Sequence, residues 1–137
     1  MYILVVDGQG GGVGRQLVQS LKSELADSFV MAVGTNSAAS SAMLKAGADA
    51  AATGENAVAV AARKADVIAG PVGIVIADSL YGEITAQMAL AIAQSNAKRI
   101  LLPFQHCDNM IVGVGEYNIP ALVKMAVEEI KLLNKCR

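Results

Sequence analysis

A three-layer α/β sandwich is the fold class this sequence predicts, with a mainly parallel sheet of five to six strands and an antiparallel edge strand. Three observations carry that expectation. Short apolar, β-branched runs alternate with helix-period segments, the pattern of repeated βαβ units. The first apolar run, Tyr2-Ile3-Leu4-Val5-Val6, leads directly into a glycine-rich turn and then a helical stretch. Near the other end, Ile119, Leu122, Val123, Ala126, Val127, Ile130 and Leu133 form one apolar stripe at helical spacing.

The elements follow in order. Tyr2 to Val6 is the first strand. Gly12 to Ala26 is the first helix, with Val13, Leu17, Val18, Leu21 and Leu25 on one face. Phe29 to Val33 is the second strand. Asn36 or Ser37 caps a second helix, which runs to Ala46 and stops at Gly47. Ala48 to Ala52 is a short third strand, and Glu55 to Ala65 an alanine-rich third helix suited to close packing. Asp66 to Gly70 is the fourth strand.

The run Gly73 to Ala77 is ambiguous. A parallel crossover needs about a dozen residues, and far fewer separate it from the fourth strand. It is a hairpin partner or a helical turn, and Pro71 after Gly70 suits a first helical position. Gly82-Glu83 leads into a helix ending near Gln94. Arg99 to Phe104 is the fifth strand, and Met110 to Val114 the antiparallel edge strand. Asn118 caps the last helix.

Strand, glycine turn and helix in succession place phosphate against a helix N-terminus. The turn is Asp7-Gly8-Gln9-Gly10-Gly11-Gly12-Val13-Gly14-Arg15. The dinucleotide fingerprint G-x-G-x-x-G is absent: a match from Gly8 meets Val13, and one from Gly10 meets Arg15. A P-loop is absent too, since no Gly-Lys-Ser/Thr follows. The spacing that fits is G-x-x-x-G-x-G on Gly8, Gly12 and Gly14, which resembles the cofactor turn of short-chain dehydrogenases. The catalytic Tyr-x-x-x-Lys of that class is missing, because Tyr81 is followed four residues on by Thr85 and Tyr117 by Ala121. The fold expectation is therefore a single Rossmann-like domain over residues 1–137, without the machinery of a complete dehydrogenase.

Composition removes several classes. The chain is 137 residues long, 54% hydrophobic and 17% charged, enough to build one substantial core. A formal net charge of -1 provides no basic field for nucleic acid, and 4% aromatics provide few stacking platforms. Cys107 and Cys136 have no metal-ligand spacing, so no metal site is expected. No apolar run reaches the ~20 residues of a membrane span. Met1-Tyr2-Ile3 lacks the features of a signal peptide, so a cytoplasmic location is expected.

Ligands of open parallel sheets bind beyond the carboxyl ends of the strands. The candidates there are Asp7, Gly8, Gln9, Gly10, Gly11, Gly12, Gly14 and Arg15 after the first strand, and Thr35, Asn36 and Ser37 after the second. Gly70 and Pro71 follow the fourth. The second-strand turn, Gly34-Thr35-Asn36-Ser37, lacks the acidic residue that binds an NAD ribose diol. Its hydroxyls and amide suit a 2′-phosphate, with Arg15 as the charge, so NADP is preferred over NAD. Asn36 and Ser37 equally serve as helix caps. Acid/base candidates are Asp78, Glu83 and the lone His106, which sits in Gln105-His106-Cys107-Asp108.

The segment Gly70-Pro71-Val72-Gly73-Ile74-Val75-Ile76-Ala77-Asp78-Ser79-Leu80-Tyr81-Gly82-Glu83-Ile84-Thr85 resembles a small bacterial family known only as a domain of unknown function. The Asp-Gly-Gln-Gly-Gly-Gly turn, Gly54-Glu55-Asn56-Ala57, and Lys98-Arg99-Ile100-Leu101-Leu102-Pro103 with Cys107 beyond carry the same resemblance, over nearly the whole chain. It implies a Rossmann-like, nucleotide-binding type of domain with no established activity. It directs attention to the turn glycines, the Gly-Pro pair and the Gly-Glu pair.

Three functions fit. The first is a phosphate-bearing small molecule held by the glycine turn, with NADP or another nucleotide as the cofactor. The second is a small enzyme whose active site is shared across a homodimer, a homo-oligomer being expected in either case. The third is a structural or interaction module on the same scaffold.

Overall fold

The computed structural model of the protein describes residues 1–104 and 109–137. Five strands form one sheet: β1 (Tyr2–Asp7), β2 (Phe29–Gly34), β3 (Ala50–Thr53), β4 (Val67–Pro71) and β5 (Lys98–Leu102). Their order is β3-β2-β1-β4-β5, and every pairing is parallel. The helices are α1 (Gly12–Glu24), α2 (Ser37–Lys45), α3 (Glu55–Lys64), α4 (Ala86–Gln94) and α5 (Ile119–Lys135).

A parallel sheet must be covered on both faces, so its inner strands are apolar throughout rather than alternating. β1 illustrates this: Ile3 and Val5 enter one core with Leu17, Val18 and Leu21 of α1, Met43 of α2, and Val123, Val127 and Ile130 of α5. Leu4 and Val6 enter the opposite core with Val58 of α3, Ile74, and Met88 and Ile92 of α4. The change of face follows from handedness. Right-handed crossovers moving one way from β1 put α1 and α2 on one side, and those returning to β4 and β5 put α3 and α4 on the other. The switch falls between β1 and β4.

Val72–Val75 is a 3-10 turn, so the ambiguous run is helical rather than a strand. Pro71 ends β4 and stands just before that turn, not inside it. The expected antiparallel edge strand at Met110 to Val114 is not formed. Gly113 has φ 85°, which turns the chain, and Met110 and Val112 are 90% and 92% exposed. Apolar residues alone do not make a strand without a sheet face to bury them. The helix expected from Gly82 begins instead at Ala86, where the Thr85 hydroxyl accepts from the Met88 N–H at 3.1 Å.

Asp49 ties the β2–β3 edge together. It accepts from the Val30 N–H at 2.8 Å and from Lys22 Nζ at 2.9 Å. These contacts, the backbone bond foremost, hold its carboxyl below the usual aspartate range. Its folded pKa therefore lies below the unfolded value of about 3.9. The stabilisation is complete above that value and is lost as pH falls through the folded one. Asp49→Asn is expected to lower the urea midpoint at neutral pH and to flatten its fall below about pH 4; a variant with the same acid limb as the wild type contradicts this assignment.

Candidate functional site

The turn after β1 is built around a buried carboxylate. Asp7, the last residue of β1, is 5% exposed. Its Oδ1 accepts from the Gly8 N–H at 2.8 Å, and its Oδ2 from the Gly14 N–H at 2.7 Å in the first turn of α1. Asp7 thus satisfies one of the free donors at a helix start, with a negative charge where the helix dipole favours it. Burial pushes its pKa above the usual range. The N–H groups of Gly14, Gly8 and Val13 pull it down, and Glu83 pushes it up again. Asp7 anchors the turn from beneath.

The five turn glycines have different physical causes. A Cβ on Gly8 would lie 2.7 Å from Thr35 Oγ1 and 3.1 Å from Glu83 Oε1. Gly11 has φ 73° and lies so close to α2 that a Cβ would approach Ala39 Cα to 2.9 Å. At Gly14 a Cβ would approach Asp7 Cβ to 2.9 Å. Gly10 and Gly12 differ. Neither has a positive φ, and a Cβ on either meets nothing within 4 Å. Their N–H groups have no intramolecular acceptor among the described residues, and both residues are exposed.

Over the turn sits Glu83, which arrives from a distant part of the chain. Its Oε1 accepts from the Gln9 N–H at 2.8 Å, Thr35 Oγ1 at 2.6 Å and Asn36 Nδ2 at 2.8 Å. Asn36 Nδ2 also donates to the Gln9 carbonyl at 2.9 Å, while Asn36 Oδ1 caps α2 through the Ala39 N–H. Burial pushes the Glu83 carboxyl up, but the bonds from Thr35, Gln9 and Asn36 outweigh that and leave it below the usual range. No cation contacts it among the described residues.

Glu83 is positioned by an unusual connection between the 3-10 turn and α4. Asp78, Leu80 and Tyr81 have φ of 66°, 56° and 56°, and Gly82 has φ 87°. Non-glycine residues in this region cost about 1–2 kcal/mol each. The connection closes on itself through Asp78 N–H to Ile84 O at 2.8 Å and Glu83 N–H to Leu80 O at 3.1 Å. The Ser79 hydroxyl anchors it to the Gly73 carbonyl.

The sequence-derived candidates now separate. The fold brings Asp7, the turn glycines, Thr35, Asn36 and Glu83 into one cluster. Thr35 and Asn36 are occupied by Glu83, so the neutral turn inferred from sequence carries an acid after all. Ser37 is exposed at the start of α2, and Arg15 is exposed on α1. Asp78 is exposed, and its side chain makes no hydrogen bond among the described residues. Gly70 and Pro71 are buried in the sheet. A Cβ on Gly70 would strike the Val6 carbonyl, so packing between β1 and β4 explains that glycine. Gln105, His106, Cys107 and Asp108 lie outside the described residues. Among the described residues no group of three or more His, Cys, Asp or Glu side chains could hold a metal, and no helix is long and apolar enough to cross a membrane.

Gly70→Ala is expected to destabilise the fold by about 1–3 kcal/mol, as overpacking does. Gly10→Ala should change stability by less than about 0.5 kcal/mol. Chemical denaturation of the pair checks the contrast. Equal losses would show that the turn glycines serve packing throughout.

The chain matches a known family over residues 2–135, the one described as Domain of unknown function (DUF3842). It belongs to that family. No protein of curated function matches it. Among solved structures it is similar to a dodecameric FMN-dependent UbiX-like decarboxylase from Escherichia coli O157:H7. The identity is 16% and the TM-score 0.49, with 96% of this chain and 77% of that one covered.

Proposed function

We propose that this member of the family binds a phosphate-bearing, nucleotide-type small molecule at the turn between β1 and α1. The observation that carries this is the pair Gly10 and Gly12. Neither backbone conformation nor internal packing requires glycine at these positions, and both leave N–H groups unpaired among the described residues. Close approach of a ligand to bare backbone supplies the missing reason. Position supports it, because ligands of open α/β sheets lie beyond the carboxyl ends of the strands, where the strand order reverses. Here that is the end of β1 beside β4.

Asp7 refines the geometry. A phosphate seated on the Gly14 N–H would compete with its carboxylate. The ligand's anionic group is therefore assigned to the outer N–H groups of Gly10 and Gly12, with exposed Arg15 supplying positive charge. Binding or sensing is the activity this reading extends to, since no nucleophile and base stand paired among the described residues.

Thermal unfolding with millimolar NAD(H), NADP(H), ATP, FMN, coenzyme A and S-adenosylmethionine tests the proposal. A binder raises the melting temperature by mass action. Gly12→Val should keep the unliganded melting temperature but weaken that ligand at least about 10-fold, and Arg15→Ala should weaken it by a smaller factor. Failure of every compound to shift the transition would sink the proposal.

A second reading, a site completed across a homo-oligomer, is favoured by one observation. β5 is an edge strand, and beside it Val114, Tyr117 and Met125 are exposed around a groove of about 360 Å³. Contiguous exposed apolar surface of this kind marks association sites. Light scattering should then report a dimer or larger assembly that Val114→Asp dissociates; a wild-type monomer at micromolar concentration discards this reading.

A further inference from the structure

We infer that Glu83 is a specificity-determining residue that selects a ribose with free hydroxyls and rejects one carrying a 2′-phosphate; the inference rests on the nucleotide reading above. Glu83 stands over the carboxyl end of β2, where its Oε1 bonds Thr35 and Asn36, the residues that follow that strand. A nucleotide whose phosphate lies on the turn after β1 lays its ribose in this direction. An acid is the group that recognises a ribose diol there, because both hydroxyls donate to it.

The two carboxylate oxygens have separate tasks. Oε1 is saturated by three donors from two segments of chain. Oε2 has no partner among the described residues, and the side chain is only half-buried. Oε1 therefore fixes the carboxylate, and Oε2 is left to accept from a ligand. Preorganisation of this kind reduces the entropy that ordering costs on binding. The surrounding donors are neutral, and no cation reaches Glu83 among the described residues. A 2′-phosphate would bring two negative charges against a fixed carboxylate with nothing between them, and rejection by like charge is an effective source of specificity. This reverses the NADP preference suggested by the neutral Gly34-Thr35-Asn36-Ser37 turn.

Isothermal titration of matched pairs tests it: NAD against NADP, and AMP against adenosine 2′,5′-bisphosphate. The wild type should bind the member without the 2′-phosphate at least about 10-fold more tightly. Glu83→Gln retains the Oε1 acceptor and replaces the free oxygen with a neutral donor. It should lower the melting temperature modestly, because the bonds lose their charge, and bring the two affinities within about threefold. Equal or tighter binding of the 2′-phosphorylated member by the wild type overturns the inference and leaves the nucleotide reading intact. So does an unchanged ratio in Glu83→Gln. Absence of binding by every member overturns the inference, while the nucleotide reading falls only if the wider panel above also fails. The wild-type comparison alone decides the matter if the variant does not fold.

Discussion

The carboxylate of Asp7 is the contact on which the rest of the site depends. It lies at the end of the central strand and accepts from the Gly8 and Gly14 N–H groups, so it joins the first strand to the first helix across the whole glycine turn. The Asp7 carbonyl also accepts from the Thr35 N–H at 3.0 Å, which brings the end of β2 into the same unit. A buried acid is costly unless its oxygens are hydrogen-bonded. Asp7 meets that condition with backbone donors that the start of α1 leaves free in any case. One residue thereby sets the path of the turn and decides which N–H groups remain for anything else.

Glu83 completes the arrangement from above. Asp7 braces the turn from within the sheet, and Glu83 fastens Gln9, Thr35 and Asn36 from the solvent side. Each bond to a charged acceptor contributes roughly 1.5–3 kcal/mol. Together they offset the backbone cost at Asp78, Leu80 and Tyr81, which is of the same order. Backbone strain of this kind persists where surrounding contacts over-determine it, and it concentrates at functional sites. The two acids frame the glycine turn with negative charge from below and above.

Much of the fold was legible along the chain. The alternation of apolar runs and helix-period segments, the caps at Asn36 and Asn118, and the stripe from Ile119 to Ile130 all express local physics: propensity, periodicity and donor satisfaction. The errors have a common origin. Met110 to Val114 is apolar enough for a strand, yet strand formation depends on a neighbour's register, which periodicity does not encode. Gly82-Glu83 has the composition of a helix start, yet its acid is claimed by a turn 74 residues away in the chain.

By itself, the sequence determined the layered α/β class, the order of the elements, and the glycine turn as the place to look. These depend on contacts between residues close in the chain, whose spacing is visible in the letters. The tertiary structure alone decided that Asp7 braces the turn through the Gly8 and Gly14 N–H groups. It also separated Gly10 and Gly12 from the glycines that packing requires, and put an acid at the end of β2. Those facts arise where β1, β2 and the connection before α4 converge. Convergence of distant segments is a property of the folded chain, because only the sheet order brings their atoms within hydrogen-bonding distance.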